Sequence, residues 1–200
     1  MKELILASAS PRRREMLQML GLPFRVKVAD VDESCGETDP EAYALAACRK
    51  KAEAVAKDCP KGQIVIACDT VVALENEILG KPKDRADARR MLKTLSGKEH
   101  RVVSALSVTD GEKTVSQAVA TAVLFRSLAE DEIEAYLKTG ECDDKAGAYG
   151  IQGLGGMFVS EIRGDWYTVV GMPLATLTQI LKNEFSYDFF AIRAESEGKI

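Results

Sequence analysis

The sequence predicts an α/β protein in which helices flank one mixed β-sheet. Apolar stretches with strand patterns alternate with amphipathic helical stretches along the chain, which is typical of this class. Asp110-Gly111 separates two strand patterns and predicts a β-hairpin, and Arg163-Gly164-Asp165 predicts a second one. Hairpins add antiparallel strands, so the sheet should be mixed. Because no repeat or linker divides the 200 residues, we expect a single domain over 1–200, fraying from 193 to 200.

The first part of the chain has two helix starts with the same chemistry, a polar N-cap residue followed by proline. Ser10-Pro11 begins a helix that ends at Gly21-Leu22-Pro23, and Asp39-Pro40 begins a longer, Ala-rich helix that extends to about Lys57. The strands predicted around these helices cover residues 4–7, 24–28, 64–68 and 71–74.

The second part of the chain continues the alternation. A helical stripe of Ala88, Met91, Leu92 and Leu95 ends at Ser96-Gly97. Ser127 and Glu130 have the spacing of a capping box, which would open the next helix. Pro173 precedes a last amphipathic helix. The remaining predicted strands cover residues 102–109, 115–125, 157–162 and 166–170.

Composition excludes several classes of function. With 27 basic and 31 acidic residues the net charge is −4, which gives no general affinity for nucleic acids or anionic membranes. The only histidine, His100, rules out a zinc site with several histidines, and a structural role is expected for it. The five cysteines are scattered without a C-x-x-C pair. We find no signal peptide or membrane span, and therefore expect a reduced, cytoplasmic protein.

A basic turn follows the first strand. Ser8 and Ser10 precede Arg12, Arg13 and Arg14 at a predicted strand-to-helix transition, where free backbone N–H groups and the positive end of the helix dipole meet. Arginine is unfavourable at a helix N-terminus unless an anion compensates its charge. The turn therefore indicates a phosphate-binding site, although a capped helix with a solvated first turn would have the same sequence.

Asp69 interrupts an apolar run that otherwise has the pattern of a buried strand. A buried carboxylate needs a cation, a metal ion or several hydrogen-bond donors. If the strand ends at Cys68, Asp69 lies where ligands bind in open α/β sheets. The alternative is an aspartate that caps a turn.

Two further regions carry charged candidates. The acidic loop with Asp30, Asp32 and Glu33 suits Mg²⁺ or Mn²⁺, although a solvated acidic loop is the more common structure. Lys51 shares a helix face with small apolar residues, so its stem should pack and its ammonium should meet an anion.

The other two candidate segments are rich in glycine. Gly80-Lys81-Pro82 places a lysine in a stiff turn, which alone does not distinguish Lys81 from an ordinary surface residue. The stretch from 147 to 156 carries one amide side chain, Gln152, and its glycines would let the backbone approach a ligand closely. It matches neither a Walker A nor a dinucleotide-binding motif.

Six sequence blocks in this order resemble the Maf family of nucleoside triphosphate pyrophosphatases, over about residues 3 to 184. The blocks are Leu4-Ile5-Leu6-Ala7-Ser8-Ala9-Ser10-Pro11-Arg12-Arg13, Asp69-Thr70-Val71-Val72, Gly80-Lys81-Pro82, Leu95-Ser96-Gly97, Asp144-Lys145-Ala146-Gly147-Ala148-Tyr149-Gly150-Ile151-Gln152-Gly153 and Val169-Val170-Gly171-Met172-Pro173-Leu174. The resemblance implies hydrolysis of a nucleoside triphosphate to the monophosphate and pyrophosphate. It also implies a divalent cation (Mg²⁺, Mn²⁺ or Co²⁺), two lobes around a central cleft as in inosine-triphosphate pyrophosphatases, and a homodimer.

The resemblance also implies roles for individual residues. Asp69 matches the catalytic proton acceptor of the family, and Asp69 with Glu33 would hold the metal ion. The residues that match its substrate-binding positions are Ser8, Arg12, Arg13, Lys51, Thr70, Lys81 and Gln152. Among them Arg12, Thr70 and Gln152 match the branch that acts on dTTP and UTP. Two alternatives remain open: an enzyme that removes a broader set of non-standard nucleotides, and a nucleotide-binding regulator of cell division without turnover.

Overall fold

A computed structural model describes residues 2–21, 23–28, 30–32, 35–75 and 77–197, of which 195–197 are described for the backbone only. The strands are β1 (Leu4–Leu6), β2 (Phe24–Val26), β3 (Ile64–Leu74), β4 (Glu77–Leu79), β5 (Glu99–Thr109), β6 (Thr114–Phe125) and β7 (Val159–Arg163). The α-helices are α1 (Pro11–Met19), α2 (Pro40–Lys57), α3 (Arg85–Leu95), α4 (Glu130–Lys138), α5 (Trp166–Val170), α6 (Leu174–Phe185) and α7 (Phe189–Glu197). Two short 3₁₀-helices cover Ala146–Ala148 and Leu154–Phe158.

The seven strands form one mixed sheet, which confirms the predicted fold class. Its order is β2-β1-β3-β5-β6-β7, and β4 pairs with β3 outside this path. The β2-β1-β3 part is parallel and all other pairs are antiparallel. The predicted hairpin at Asp110-Gly111 joins β5 to β6, with Gly111 at a φ of 90° that favours glycine. Among the described helices, none is long and apolar enough to cross a membrane.

Two separate cores cover one face of the sheet. The first, the α1–α6 core, packs Ile64, Ile66, Cys68, Leu106 and Val108 of β3 and β5 against Met16, Leu17, Leu177 and Leu181. The second, the α3–α4 core, packs Val72, Leu74 and Val102 of the same strands against Leu92, Leu95, Ile133 and Leu137. Between the cores, on the same face, lie Thr70 and its cross-strand neighbour Ser104. The pair of Thr70 and Ser104 therefore separates the two cores.

Helix α2 covers the opposite face of the sheet. Its small residues Ala44, Cys48 and Ala52 pack against strand residues such as Val65 and Val71. Because side chains alternate along a strand, Asp69 projects to this face, between apolar neighbours, whereas Thr70 projects to the other. The two polar residues of β3 are thus consecutive in sequence but lie on opposite sides of the sheet.

An opening in the sheet lies beside these two residues. On one edge of β3, pairing with β1 stops at Ile66, and pairing with β4 starts at Val72. On the other edge, β5 pairs with β3 without interruption from Val65 to Ala73. The strand is therefore continuous through Asp69, and our expectation that it ends at Cys68 is wrong. The interruption belongs to the neighbouring strands, and it gives a ligand access to both faces.

Two other expectations need correction. Residues 166–170 form helix α5 and not a strand of a second hairpin, because the Asp165 carboxylate accepts hydrogen bonds from the N–H groups of Tyr167 and Thr168 at 3.2 and 2.9 Å. Helix α4 is capped by Glu132, which accepts from the Ala129 N–H at 3.1 Å, and not by Ser127. At the C-terminus, helix α7 extends to Glu197, and fraying from 193 stays a prediction.

Candidate functional site

A cleft of about 940 Å³ opens beside Asp69 and Thr70, between the two cores. It collects all the predicted substrate-binding residues together with the predicted catalytic aspartate. These are Ser8, Arg12, Arg13, Lys51, Asp69, Thr70, Lys81 and Gln152. The second predicted metal ligand, Glu33, lies outside the described residues. Segments far apart in the chain thus converge as the sequence blocks predicted.

Asp69 forms an ion pair with Lys51 on the α2 side of the sheet. The Lys51 ammonium donates to Asp69 Oδ1 at 2.7 Å, and the two side chains are only 14% and 11% exposed. Asp69 is therefore one anion that meets the Lys51 ammonium, as predicted. The pair compensates two charges that would otherwise be costly to hold away from water, and its side chains line the cleft.

Arg13 lies at the opening in the sheet, on the face opposite to helix α2. Its guanidinium donates to the carbonyl oxygens of Cys68 at 2.8 Å and Gly171 at 3.0 Å, and to the hydroxyls of Ser8 at 3.2 Å and Thr70 at 3.0 Å. A guanidinium has five N–H donors, so the protein uses four of these five and one is left. All four acceptors are neutral, and no described carboxylate forms an ion pair with Arg13 within 4.0 Å. Arg13 therefore holds the site together while its positive charge stays uncompensated by the described residues.

The donor and the acceptor can be assigned in each hydrogen bond between the hydroxyls next to Arg13. Ser104 Oγ donates to the Thr168 carbonyl at 2.7 Å, so its proton is used there. Thr70 Oγ1 lies 2.8 Å from Ser104 Oγ and must be the donor of that bond. The Gly171 carbonyl, 3.4 Å from Thr70 Oγ1, is a weaker acceptor. Thr70 thus gives its proton to Ser104 and accepts from Arg13, which leaves its hydroxyl without a proton for a ligand.

The start of α1 faces the cleft with positive charge. Ser10 is the N-cap residue, but its side chain makes no capping bond, and the first turn contains no acidic residue. Ser8, which is buried, accepts from the Ser10 N–H at 3.2 Å and so fixes the turn. Asp144, another residue of the cleft, has a lowered pKa, mainly because Lys145 donates a hydrogen bond to it. The charge of the half-buried Arg12 lowers this pKa further. The N–H groups of the first helical turn and Arg12 can both meet an anion.

Lys81 lines the cleft from the turn after β4. This turn is joined to the loop after α4, since Gly80 accepts a hydrogen bond from the Gly147 N–H at 3.1 Å. Gly147 has a φ of 67°, and a Cβ there would lie 2.9 Å from Val72, so the position requires glycine. Lys81 is exposed, with no ion pair to any other described residue. Its ammonium is available to a ligand.

The loop that carries Gln152 contains site residues that sequence analysis missed. Gln152 is exposed at the cleft, but the neighbouring amides of Leu154 and Gly155 donate to the Glu141 carboxylate at 2.9 and 3.0 Å. Lys145, also in the cleft, donates to the Glu141 carbonyl at 2.7 Å. Lys145 lies inside a quoted sequence block, which could have indicated it, whereas Glu141 directly follows a helix end and has no periodic or motif signal.

The described residues include no group of three or more histidines, cysteines, aspartates or glutamates that could hold a metal ion by themselves. His100 is buried against Phe125 and Tyr149, and its Nε2 lies 2.9 Å from the Tyr149 hydroxyl. Burial lowers its pKa to about 4. His100 is therefore a neutral core residue, as the sequence predicted.

Comparison with known proteins agrees with this geometry. Residues 3–184 match the model of the family described as Maf-like protein. Relatives named dTTP/UTP pyrophosphatase include those of Bacillus cytotoxicus (47% identity; 91% of this chain and 95% of the relative covered) and Caldanaerobacter subterraneus (45%; 92% and 89%). Among solved structures, the Ham1 proteins of Staphylococcus aureus (TM-score 0.50, 18% identity, all of both chains covered) and Coxiella burnetii (0.51, 13%, 91% of this chain and 99% of that chain) share the fold.

Proposed function

The chain belongs to the Maf-like protein family, and from this premise we propose that it hydrolyses dTTP and UTP to the nucleoside monophosphate and pyrophosphate. One observation carries the proposal: a chain this similar to relatives named dTTP/UTP pyrophosphatase brings Asp69 and five cationic side chains into one cleft. Hydrolysis of a phosphoanhydride depends mainly on positioning and on neutralising the charge of the phosphates. The cations Arg12, Arg13 and Lys81 suit both tasks, whereas Lys51 compensates the charge of Asp69.

The triphosphate, in this proposal, binds at the opening in the sheet. The start of α1 with Arg12 contacts the phosphates, and Lys81 contacts them from the turn after β4. Arg13 contributes its charge and its one remaining donor, while its other four hydrogen bonds hold β3, Ser8 and Gly171 in place. Its role is thus mainly to position the site, and a forked contact with two phosphate oxygens would require breaking bonds within the protein.

Asp69 is proposed to accept the proton of the water that attacks the α-phosphorus. Its carboxylate lies at the cleft on the face opposite to Thr70, and Lys51 compensates its charge at 2.7 Å. A water molecule next to Asp69 would reach the phosphate through the opening between β1 and β4. The base of the nucleotide would then extend toward the loop that carries Gln152.

The donor set fits a divalent cation that enters with the nucleotide. Mg²⁺ in phosphoryl-transfer sites is typically held by one or two carboxylates plus phosphate oxygens and water, and not by a complete protein cage. Asp69 is the carboxylate of the cleft that the resemblance assigns to the cation, and Glu33 remains the second expected ligand. When bound, the cation would polarise the phosphoryl oxygens and lower the pKa of the attacking water.

The preference for pyrimidine nucleotides is assigned to Gln152, whose amide can both donate to and accept from a base edge. Thr70 gives its proton to Ser104 and uses one lone pair on Arg13, so a direct contact with the base would use its remaining lone pair. We assign Thr70 to the support of Arg13. A site that pairs its polar groups with one base leaves them unpaired with another, which produces the selectivity.

The finer expectations belong to the same proposal. We propose a cytoplasmic homodimer that forms no stable complex with nucleic acids. The five free cysteines fit a reducing compartment, and the net charge of −4 fits the lack of affinity for nucleic acids. Sedimentation of the purified chain at several concentrations tests the oligomeric state.

The proposed function is tested by pyrophosphate release from a panel of nucleotides with Mg²⁺, Mn²⁺ or Co²⁺. We expect dTTP and UTP to have the highest kcat/KM, with dTMP or UMP as the second product. Comparable values for GTP or for modified nucleotides would favour the broader enzyme, and nucleotide binding without turnover would favour the regulator. Release of orthophosphate would contradict cleavage between the α- and β-phosphates.

A further inference from the structure

Glu141 is the centre of the loop that carries Gln152. It follows helix α4, and its carboxylate accepts three hydrogen bonds: from the Leu154 N–H at 2.9 Å, from the Gly155 N–H at 3.0 Å and from the Tyr136 hydroxyl at 3.0 Å. These are the backbone donors that a glycine-rich loop usually offers to an anionic ligand. Here the anion is a side chain of the protein. The loop is therefore held by an internal carboxylate.

Tyr136 extends the same contacts to the other end of the loop. Its hydroxyl donates to Glu141 and accepts from the Gly150 N–H at 3.2 Å. Burial raises the pKa of Tyr136, so the phenol stays protonated and remains a donor. Residues 150 and 154–155 are thus tied to one carboxylate, directly or through Tyr136, and Gln152 lies between these two attachment points.

The glycines of the loop are required by this close packing. A Cβ at Gly153 would collide with the Glu141 carboxylate. A Cβ at Gly155 would lie 2.8 Å from the Gly150 nitrogen and 2.9 Å from the Tyr136 hydroxyl. The glycines predicted to let the backbone approach a ligand therefore let it approach Glu141 and Tyr136.

The Gln152 amide remains available to the cleft, since it forms no hydrogen bond with another described residue. We propose that Glu141 is a positioning residue that sets the selectivity for the base by holding residues 150–155, so that Gln152 faces the nucleotide. This inference rests on the proposed function, because it takes Gln152 as the residue that contacts the base.

A purely electrostatic role of Glu141 predicts the opposite effect. A carboxylate at the cleft repels a triphosphate, so its removal should lower the KM for every nucleotide. The positioning role predicts that Glu141→Gln raises the KM for dTTP and lowers the discrimination between dTTP and GTP. The two roles therefore differ in sign.

The first measurement is amide hydrogen exchange of the nucleotide-free protein. In Glu141→Gln, the Leu154 and Gly155 amides should exchange at least about tenfold faster, because their charged acceptor is lost. In Tyr136→Phe, the Gly150 amide should exchange faster, because its hydroxyl acceptor is lost. Glu134→Gln is the matched control, since it removes a carboxylate from α4 that pairs with Arg89, and exchange of the loop should stay unchanged. Unchanged exchange in Glu141→Gln would overturn the proposal.

The second measurement is the ratio of kcat/KM for dTTP over that for GTP. Glu141→Gln should lower the ratio by about tenfold through KM, and Glu134→Gln should not change it. Added to Gln152→Ala, Glu141→Gln should cause no further loss of selectivity, because both act through the same contact. A loss in Gln152→Ala but not in Glu141→Gln would overturn this inference alone. An unchanged ratio in Gln152→Ala would overturn the proposed role of Gln152 and the inference with it.

Discussion

The two faces of β3 treat charge in opposite ways where the strand passes the cleft. On the α2 face, Asp69 pairs with Lys51 and the two charges balance. On the other face, Arg13 is surrounded by neutral oxygens of Thr70, Ser8 and two carbonyl groups. On the α2 face, the carboxylate is thus held without excess charge. On the other face, the guanidinium is held with an excess positive charge. A proton acceptor needs the first condition and a phosphate site needs the second.

The difference also explains why the site lies at an opening in the sheet. Consecutive residues of a strand project to opposite faces, so Asp69 and Thr70 cannot contact one ligand through an intact sheet. Because β1 pairs only as far as Ile66 and β4 starts at Val72, a ligand at this edge can meet both faces. We infer that the α2 face supplies the chemistry and the Arg13 face supplies nucleotide binding.

The largest expected effect comes from Asp69→Asn. This change removes the proton acceptor but keeps its shape, so turnover of dTTP should fall by about 100- to 10,000-fold. Pyrophosphate release measures this loss. The melting temperature serves as the control, because a variant that unfolds would lose turnover for a different reason. Near-wild-type turnover in a stable variant would show that Asp69 is structural.

A smaller effect distinguishes the two adjacent arginines. Arg13→Ala removes four hydrogen bonds within the protein and should lower the free energy of unfolding by about 2–4 kcal/mol. Arg12→Ala breaks no hydrogen bond described in the structure, so its stability should stay within about 0.5 kcal/mol. Both changes should weaken nucleotide binding. Urea unfolding without nucleotide measures the difference, and equal stability of the two variants would contradict the positioning role of Arg13.

The pH dependence of stability tests the core behind the Arg13 face, where His100 is buried. Burial lowers its pKa from 6.5 to about 4, so the unfolded chain binds a proton before the folded one does. Stability should therefore fall as the pH decreases from about 6.5 to about 4, by about 3 kcal/mol for this residue alone. The free energy of unfolding should depend less steeply on pH in His100→Gln. Identical slopes in the wild type and the variant would show that His100 titrates normally.

The smallest effect separates two buried serines of β5. Ser104→Ala removes the acceptor for Thr70, whereas Ser107→Ala removes only a hydrogen bond to Ser116 at 3.0 Å. Each should cost about 1 kcal/mol of stability. In Ser104→Ala the KM for dTTP should also rise, by about 2- to 10-fold, because Thr70 and Arg13 lose their fixed arrangement. Equal KM values in both variants would mean that the hydrogen bond from Thr70 to Ser104 does not affect binding of dTTP.

Much of the site was predictable because its residues, apart from Lys51, stand in short sequence blocks. The structure places Asp69, Lys51, Arg12, Arg13, Lys81 and Gln152 in one cleft, as the resemblance implied. The continuous strand through Asp69 was not predictable, because the cation that makes it possible comes from α2. The role of Thr70 was also beyond the sequence, since it depends on which hydroxyl donates to which acceptor.

Two further differences have local causes. Residues 166–170 are rich in residues that favour strands, yet two hydrogen bonds to the Asp165 carboxylate start a helix there. Glu141 was missed because its partners are mostly backbone N–H groups, which every residue except proline carries and no sequence pattern marks.

The most direct test of the two-face account is a calorimetric titration of Asp69→Asn with a non-hydrolysable dTTP analogue. If the α2 face supplies only the chemistry, the Kd measured in EDTA, where Asp69 holds no cation, should stay close to that of the wild type although turnover with the cation is lost. Arg12→Ala, on the binding side, should show a clearly higher Kd under the same conditions. An Asp69→Asn variant that loses binding to the same degree as turnover would contradict the division between the two faces.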